Sequence, residues 1–262
     1  DDLKHKLWNY ELPVEFIKII EGNVLNEVFA RLNRNSRKLE PQEIRHARND
    51  GWFISFAERE AEQEGYWKTF KITTTARSRR MKDVQFISEL LLVVLDAKVI
   101  GFDQEILDAA SADYDSPEEV NPDFDPDAVA ARFAATKEFL AAMDRANGCV
   151  RRYAATLNNF YSLWAWVVIS KPQAADSAKA AEAYATFMEN VAVLKDELQT
   201  HEDDVEAFLK AREAKAQESG GDFSHAFRYM QNATGASTEP QQRQARHEVL
   251  LAVLPQSTIQ LP

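Results

Sequence analysis

The sequence predicts a mainly helical protein of the α+β class, with about one strand near its start and a helical bundle in its second half. Apolar residues recur at three- and four-residue spacing through most of the chain, the pattern of a helix with one buried face. Only residues 12–20 carry a convincing strand pattern. Beyond residue 127 the composition turns rich in alanine, the residue that loses least on entering a helix.

Taken in order, a short helical pattern leads into residues 12–20, where Pro13, Val14, Phe16, Ile19 and Ile20 suggest the strand. Asn23 is placed to cap a helix whose apolar face is Val24, Leu25, Val28, Phe29 and Leu32. That helix runs out in the polar stretch 33–38. A second begins around Pro41, whose missing N–H costs nothing in a first turn, and ends near Asn49, Asp50 and Gly51. Trp52, Phe53 and Phe56 open an aromatic helix reaching about Glu64. A longer apolar helix is expected over 79–97.

Residues 113–127 hold seven acids, no base and three prolines between them. This composition predicts an acidic linker dividing a domain of residues 1–112 from a helical domain of residues 128–262. Five helical patterns follow, over 127–147, 150–170, 176–198, 202–217 and 239–254. The spacing of Phe133, Phe139, Leu140 and Met143 points to bundle packing. Tyr153, Phe160, Tyr161, Trp164 and Trp166 could stack on bases, but aromatics at helical spacing without interleaved cations are expected to form core.

The net charge of −11 argues against the whole surface clamping nucleic acid. Basic residues gather instead at 31–48 and 77–82, which allows a small anion near the N-terminal end. The single Cys149 forms no internal disulfide, so a reducing cytoplasm is expected. The apolar run 160–169 is about half the ~20 residues that span a bilayer, and the first residues do not read as a signal peptide. No membrane is expected, and the opening Asp1 reads as the start of a piece of a longer protein. The five histidines are scattered without metal-ligand spacing, and no glycine-rich phosphate loop occurs.

The most informative stretch is 29–53, FARLNRNSRKLEPQEIRHARNDGWF. Phe29, Arg31, Leu32, Asn33, Leu39, Glu43, Arg45, Ala47, Gly51 and Phe53 resemble the motif of the prokaryotic GmrSD-type family, which is phenylalanine, any residue, Arg-Leu-Asn, a polar loop, Leu, Glu-Leu-Arg-Asn-Ala and Gly-x-Phe. His46 departs from it, standing where the family often has Asn. Residues 7–19, 76–92 and, more weakly, 243–254 resemble the family's flanking strand, its Arg-rich entry to a long helix and its closing helix. About half of the chain is covered.

The resemblance implies the rear of a ParB/sulfiredoxin-like nucleotide-handling domain, followed by helices, in a restriction or phage-defence protein. It implies a nucleoside triphosphate with Mg²⁺, coupled to recognition or cleavage of foreign DNA. Compared with ParB proteins, Asn33 matches an Asn near the triphosphate, while Leu32 replaces the Glu that precedes it and removes that carboxylate as a metal ligand. The family's Asp-Gly-Gln-Gln-Arg motif is absent from this chain, so an upstream segment or partner subunit is expected to supply it. An HNH nuclease is not expected.

The residues themselves allow two arrangements. Arg31 and Asn33 end one helix and Glu40, Gln42 and Glu43 open the next, so a guanidinium, an amide and backbone N–H groups could converge on phosphate, with Glu43 holding Arg45 or a metal-bound water. Alternatively Arg31 and Glu43 form a fold-holding ion pair, Asn33 caps a helix, and Glu43 with Arg45 lies on an exposed face. The candidate nucleotide residues are therefore Arg31, Asn33, Glu43 and Arg45. Arg77, Arg79, Arg80 and Lys82 are candidates for DNA contact. A non-catalytic scaffold or interaction module is the alternative function.

Overall fold

The computed structural model describes residues 41–48, 51–200, 205–219 and 221–255, together with Trp8, Tyr10 and Glu40. The chain falls into two compact units, Asp1–Glu40 and Pro41–Pro262. The strand expected over 12–20 and the helix expected from Asn23 lie outside the described residues. Among the described residues the structure is helical and contains no strand.

Fourteen α-helices are described in the second unit. They are α1 Pro41–Arg48, α2 Trp52–Glu62, α3 Glu64–Thr69, α4 Thr75–Ser78, α5 Lys82–Asp96, α6 Gln104–Asp113, α7 Pro117–Val120 and α8 Pro126–Asn147. After them come α9 Cys149–Tyr153, α10 Leu157–Ser170, α11 Ser177–Thr200, α12 Val205–Ser219, α13 Gly221–Asn232 and α14 Pro240–Val253. None is long and apolar enough to cross a membrane among the residues described.

Helix α10 is the axis of the unit. Its residues from Asn159 to Val167 are all buried, so it is covered on every side, as a helix apolar all round must be. Trp164 stacks near Phe160 and Phe133, and its indole N–H donates to the Leu90 carbonyl of α5 at 3.1 Å. The aromatics 160–166 are thus core, as expected. Helices α5, α8 and α14 pack around α10, and α11 and α13 extend the bundle from α8.

The second unit is not divided at 113–127. One contiguous hydrophobic core runs from Phe53 to Leu254, and the acidic segment is built into it. Its prolines start α7 and α8, and the Asp125 carboxylate accepts from the Ala128 N–H at 2.9 Å as a helix cap. Phe124 packs edge-to-face on Trp52 at 5.0 Å. The proline and acid content that resembles a linker here serves helix starts.

Other boundaries differ for local reasons. The expected helix 79–97 begins only at Lys82, because Met81 adopts a left-handed conformation with φ 53°. The expected helix 150–170 breaks at 154–156, where Thr156 turns its hydroxyl to accept from the Asn159 N–H and starts α10. Helices α3, α4, α6, α7 and α13 were not expected.

Candidate functional site

Of the motif, the structure describes the helix α1 and the Gly-x-Phe segment. Arg31 and Asn33 lie outside the described residues. Gln42 and Arg45, one turn apart, form the buried face of α1. The Arg45 guanidinium is 3% exposed and each of its nitrogens is engaged: Nε donates to Asp108 Oδ1 at 2.5 Å, Nη1 to Gln42 Oε1, and Nη2 to Gln104 Oε1. Asp108 and Gln104 both belong to α6, so Arg45 clamps α1 onto α6.

An ion pair and an imidazole–carboxylate contact also fix α1. Glu43 meets Arg80, in the turn before α5, at 3.2 Å, and both side chains are largely covered. His46 Nδ1 pairs with Glu58 Oε1 of α2. The polar residues of α1 therefore hold the helix to its own body; Arg45 is buried, where an exposed face was one expectation.

Gly51 shows why the motif needs a glycine. A Cβ there would lie 2.3 Å from the carbonyl oxygen of Asp115, so close approach, not a special φ, excludes a side chain. The approach lets the 114–115 segment accept three N–H groups: the Asp115 carboxylate takes the Gly51 N–H at 3.0 Å and its carbonyl the Trp52 N–H at 3.0 Å, while the Tyr114 carbonyl takes the Phe53 N–H at 3.2 Å. These donors are the otherwise unpaired N–H groups at the start of α2. Phe53, 1% exposed, anchors the turn in the core.

Beneath α1 and α6 lies a buried polar network that sequence reading missed. Glu89 of α5 accepts from Arg243 Nη2 of α14 at 2.5 Å. Arg243 also donates to the Ile100 carbonyl at 2.9 Å and lies over the Tyr161 ring, 3.7 Å from its centre. Tyr161 closes the loop, donating its hydroxyl to the same Ile100 carbonyl at 2.8 Å. Burial pushes the Glu89 carboxyl above its ordinary range, and Arg243, then Arg45, pull it back. A lone Glu within the apolar run FISELLL was the available signal, since a buried charge requires a partner.

The basic residues proposed for DNA do not form one open cluster. Arg77 donates to the carbonyls of Lys71 and Ile72 at 2.5 and 3.0 Å, and Arg80 pairs with Glu43. Arg79 and Lys82 are exposed.

Among the described residues no group of three or more His, Cys, Asp or Glu could hold a metal ion. Cys149 is buried, and burial with the nearby Asp144 pushes its thiol up to about 12, which removes it as a nucleophile near neutral pH. Comparisons of the chain with family models, with curated proteins and with solved structures found no match. What the described site can do is position: it clamps one helix of the motif rigidly through buried, charge-assisted hydrogen bonds.

Proposed function

We propose that the chain is part of a prokaryotic defence or restriction protein that binds or hydrolyses a nucleoside triphosphate with Mg²⁺, coupled to recognition or cleavage of foreign DNA. In this reading the helical body of the second unit is the mount for the nucleotide motif. The observation that supports it is the clamp on α1, in which Arg45 is buried against Gln42, Gln104 and Asp108. In sequence the polar loop after Arg31 and Asn33 runs directly into that helix. A phosphate-binding loop works only when its ends are held, because misplacement of a contact by about 1 Å costs most of its effect.

In this division Arg31 supplies positive charge and Asn33 an amide N–H to the phosphates, while Arg45 and Glu43 are positioning residues. Mg²⁺ comes with the triphosphate, and a partner subunit or an upstream segment carries the missing Asp-Gly-Gln-Gln-Arg element. The test is calorimetric titration of the full-length protein with each nucleoside triphosphate in Mg²⁺, repeated for Arg31→Ala and Asn33→Ala. The reading expects at least a tenfold loss of affinity in both variants. Unchanged affinity in both, or no binding by the unaltered protein, overturns it.

A non-catalytic scaffold is the second reading, and one observation favours it. Glu43, Arg45 and His46 all contact the body itself, which a purely structural motif requires. That reading expects Arg45→Ala to lower stability while no variant of Arg31 or Asn33 alters any ligand affinity.

A further inference from the structure

Away from the motif, where α5, α8 and α10 meet the turn after residue 171, the surface opens into a groove of about 440 Å³. That volume lies within the ~300–1,000 Å³ typical of small-molecule sites. Its floor is apolar, formed by the buried Val94, Phe139 and Val167 with Val168 beside them. Helices α5 and α10 both end at it on left-handed residues, Ala97 at φ 50° and Lys171 at φ 48°. Arg132, Ala135, Thr136, Phe139 and Ala142 form one stripe of α8 along it, at three- and four-residue spacing. Ala97, Ala135, Ala142 and Ala174 leave the space that larger side chains would fill.

The polar groups of the lining are already served. The Thr136 hydroxyl, in a residue 5% exposed, donates to the Arg132 carbonyl of its own helix at 2.9 Å. Glu138 is paired with Arg145 at 2.5 Å, and Lys171 is engaged within the protein. Arg132 is exposed to water. No buried side-chain nitrogen or oxygen of the lining lacks a hydrogen-bond partner. A ligand that brought a charge or a strong donor onto this floor would give up its water and receive no partner in return.

The occupant that fits is a small molecule and not a protein face. Among the described residues of the second unit, no large exposed hydrophobic lines the groove, whereas a stable protein interface buries about 1,200–2,000 Å² in total. A partner chain seated here would have to cover Arg132, Glu138 and Lys171 to reach that area, and desolvate their charges. We infer that the groove is a binding site for an uncharged apolar small molecule, laid on Val94, Phe139, Val167 and Val168. The inference is independent of the nucleotide reading, since none of these residues belongs to the motif. Apolar burial supplies the affinity, and the lack of any unmet polar group on the floor supplies the selectivity.

The test is calorimetric titration of the intact chain at pH 8 with decanol, decanoate and decyltrimethylammonium, each below its micelle or solubility limit. Decanol binds one to one, and both ionised amphiphiles bind more weakly by about tenfold or more. Ala135→Phe and Ala142→Leu, which fill the groove from α8, each remove decanol binding, and melting curves establish that each variant is folded. Ala134→Phe, beside the lining on the same helix, leaves binding unchanged. No decanol binding, an ionised amphiphile bound as tightly as decanol, or decanol binding kept in a folded filling variant overturns the inference. So does a dimer in sedimentation that Ala135→Phe disperses, which gives the groove to a second copy of the chain.

Discussion

Arg243 on α14 donates to Glu89 on α5 at 2.5 Å, joining residues 154 positions apart in a pair whose side chains are 3% and 9% exposed. The Glu89 carboxyl stays raised despite that contact, so desolvation outweighs the attraction. Such a pair contributes little relative to an apolar one of the same shape, yet breaking it strands a buried charge. Arg243→Ala is expected to destabilise the protein by about 3–5 kcal/mol. The joint Glu89→Leu, Arg243→Leu change costs much less. Chemical denaturation of the two variants checks this, and a double variant no more stable than Arg243→Ala contradicts it.

At Gly51 the Cβ of Ala would collide with the Asp115 backbone. Gly51→Ala is expected to cost about 1–3 kcal/mol by overpacking and by opening the hydrogen bonds that start α2. With about 2–4 °C per kcal/mol for a body of this size, the melting temperature falls by several degrees. The quenching environment of Trp52 changes with it, because that ring lies 5.0 Å from Phe124 on the displaced segment.

The Cys149 thiol, pushed from its ordinary 9.0 up to about 12, gives a pH prediction. Between these values the folded state keeps the proton that the unfolded chain releases. Stability therefore falls as pH rises from about 9 toward 12, and below 9 this group contributes no slope. Cys149→Ala flattens that part of the alkaline profile. A thiol reagent at pH 8 leaves the native protein unmodified and reacts once denaturant is added; rapid native modification contradicts the burial argument.

For DNA, the engagement of Arg77 and Arg80 leaves Arg79 and Lys82 as the exposed cations of the stretch. Any affinity through this patch is expected to show a log–log salt slope no steeper than about −2, from roughly one released counterion per phosphate contact. A slope near −4 that drops to −2 on replacing Arg77 and Arg80 restores all four to DNA contact.

How far these features were legible depends on the range of the interactions that cause them. Helix starts at Pro41 and Pro126 follow from local chemistry, and the apolar length of α10 marks it as buried. The segment 113–127 misleads because the same prolines and aspartates suit a linker or a set of caps. Only Gly51, 64 positions away, decides between these uses for Asp115. Arg45 is similar: its partners Gln104 and Asp108 are 59 and 63 positions distant, so nothing in the helix sequence PQEIRHAR tells a buried clamp from a solvated face. Glu89 is the residue that could have been found, as a charge set within an otherwise apolar turn.

The span between Glu89 and Arg243 also sets an order of events during synthesis. At about 5–20 residues per second, roughly 8–30 seconds separate translation of the acid from translation of its partner. Through that interval α5 and α10 can meet, but the carboxylate between them and the Ile100 carbonyl await α14. The nascent body is therefore expected to stay incompletely closed and open to chaperones and proteases, until its last described helix emerges and locks the first ones in place.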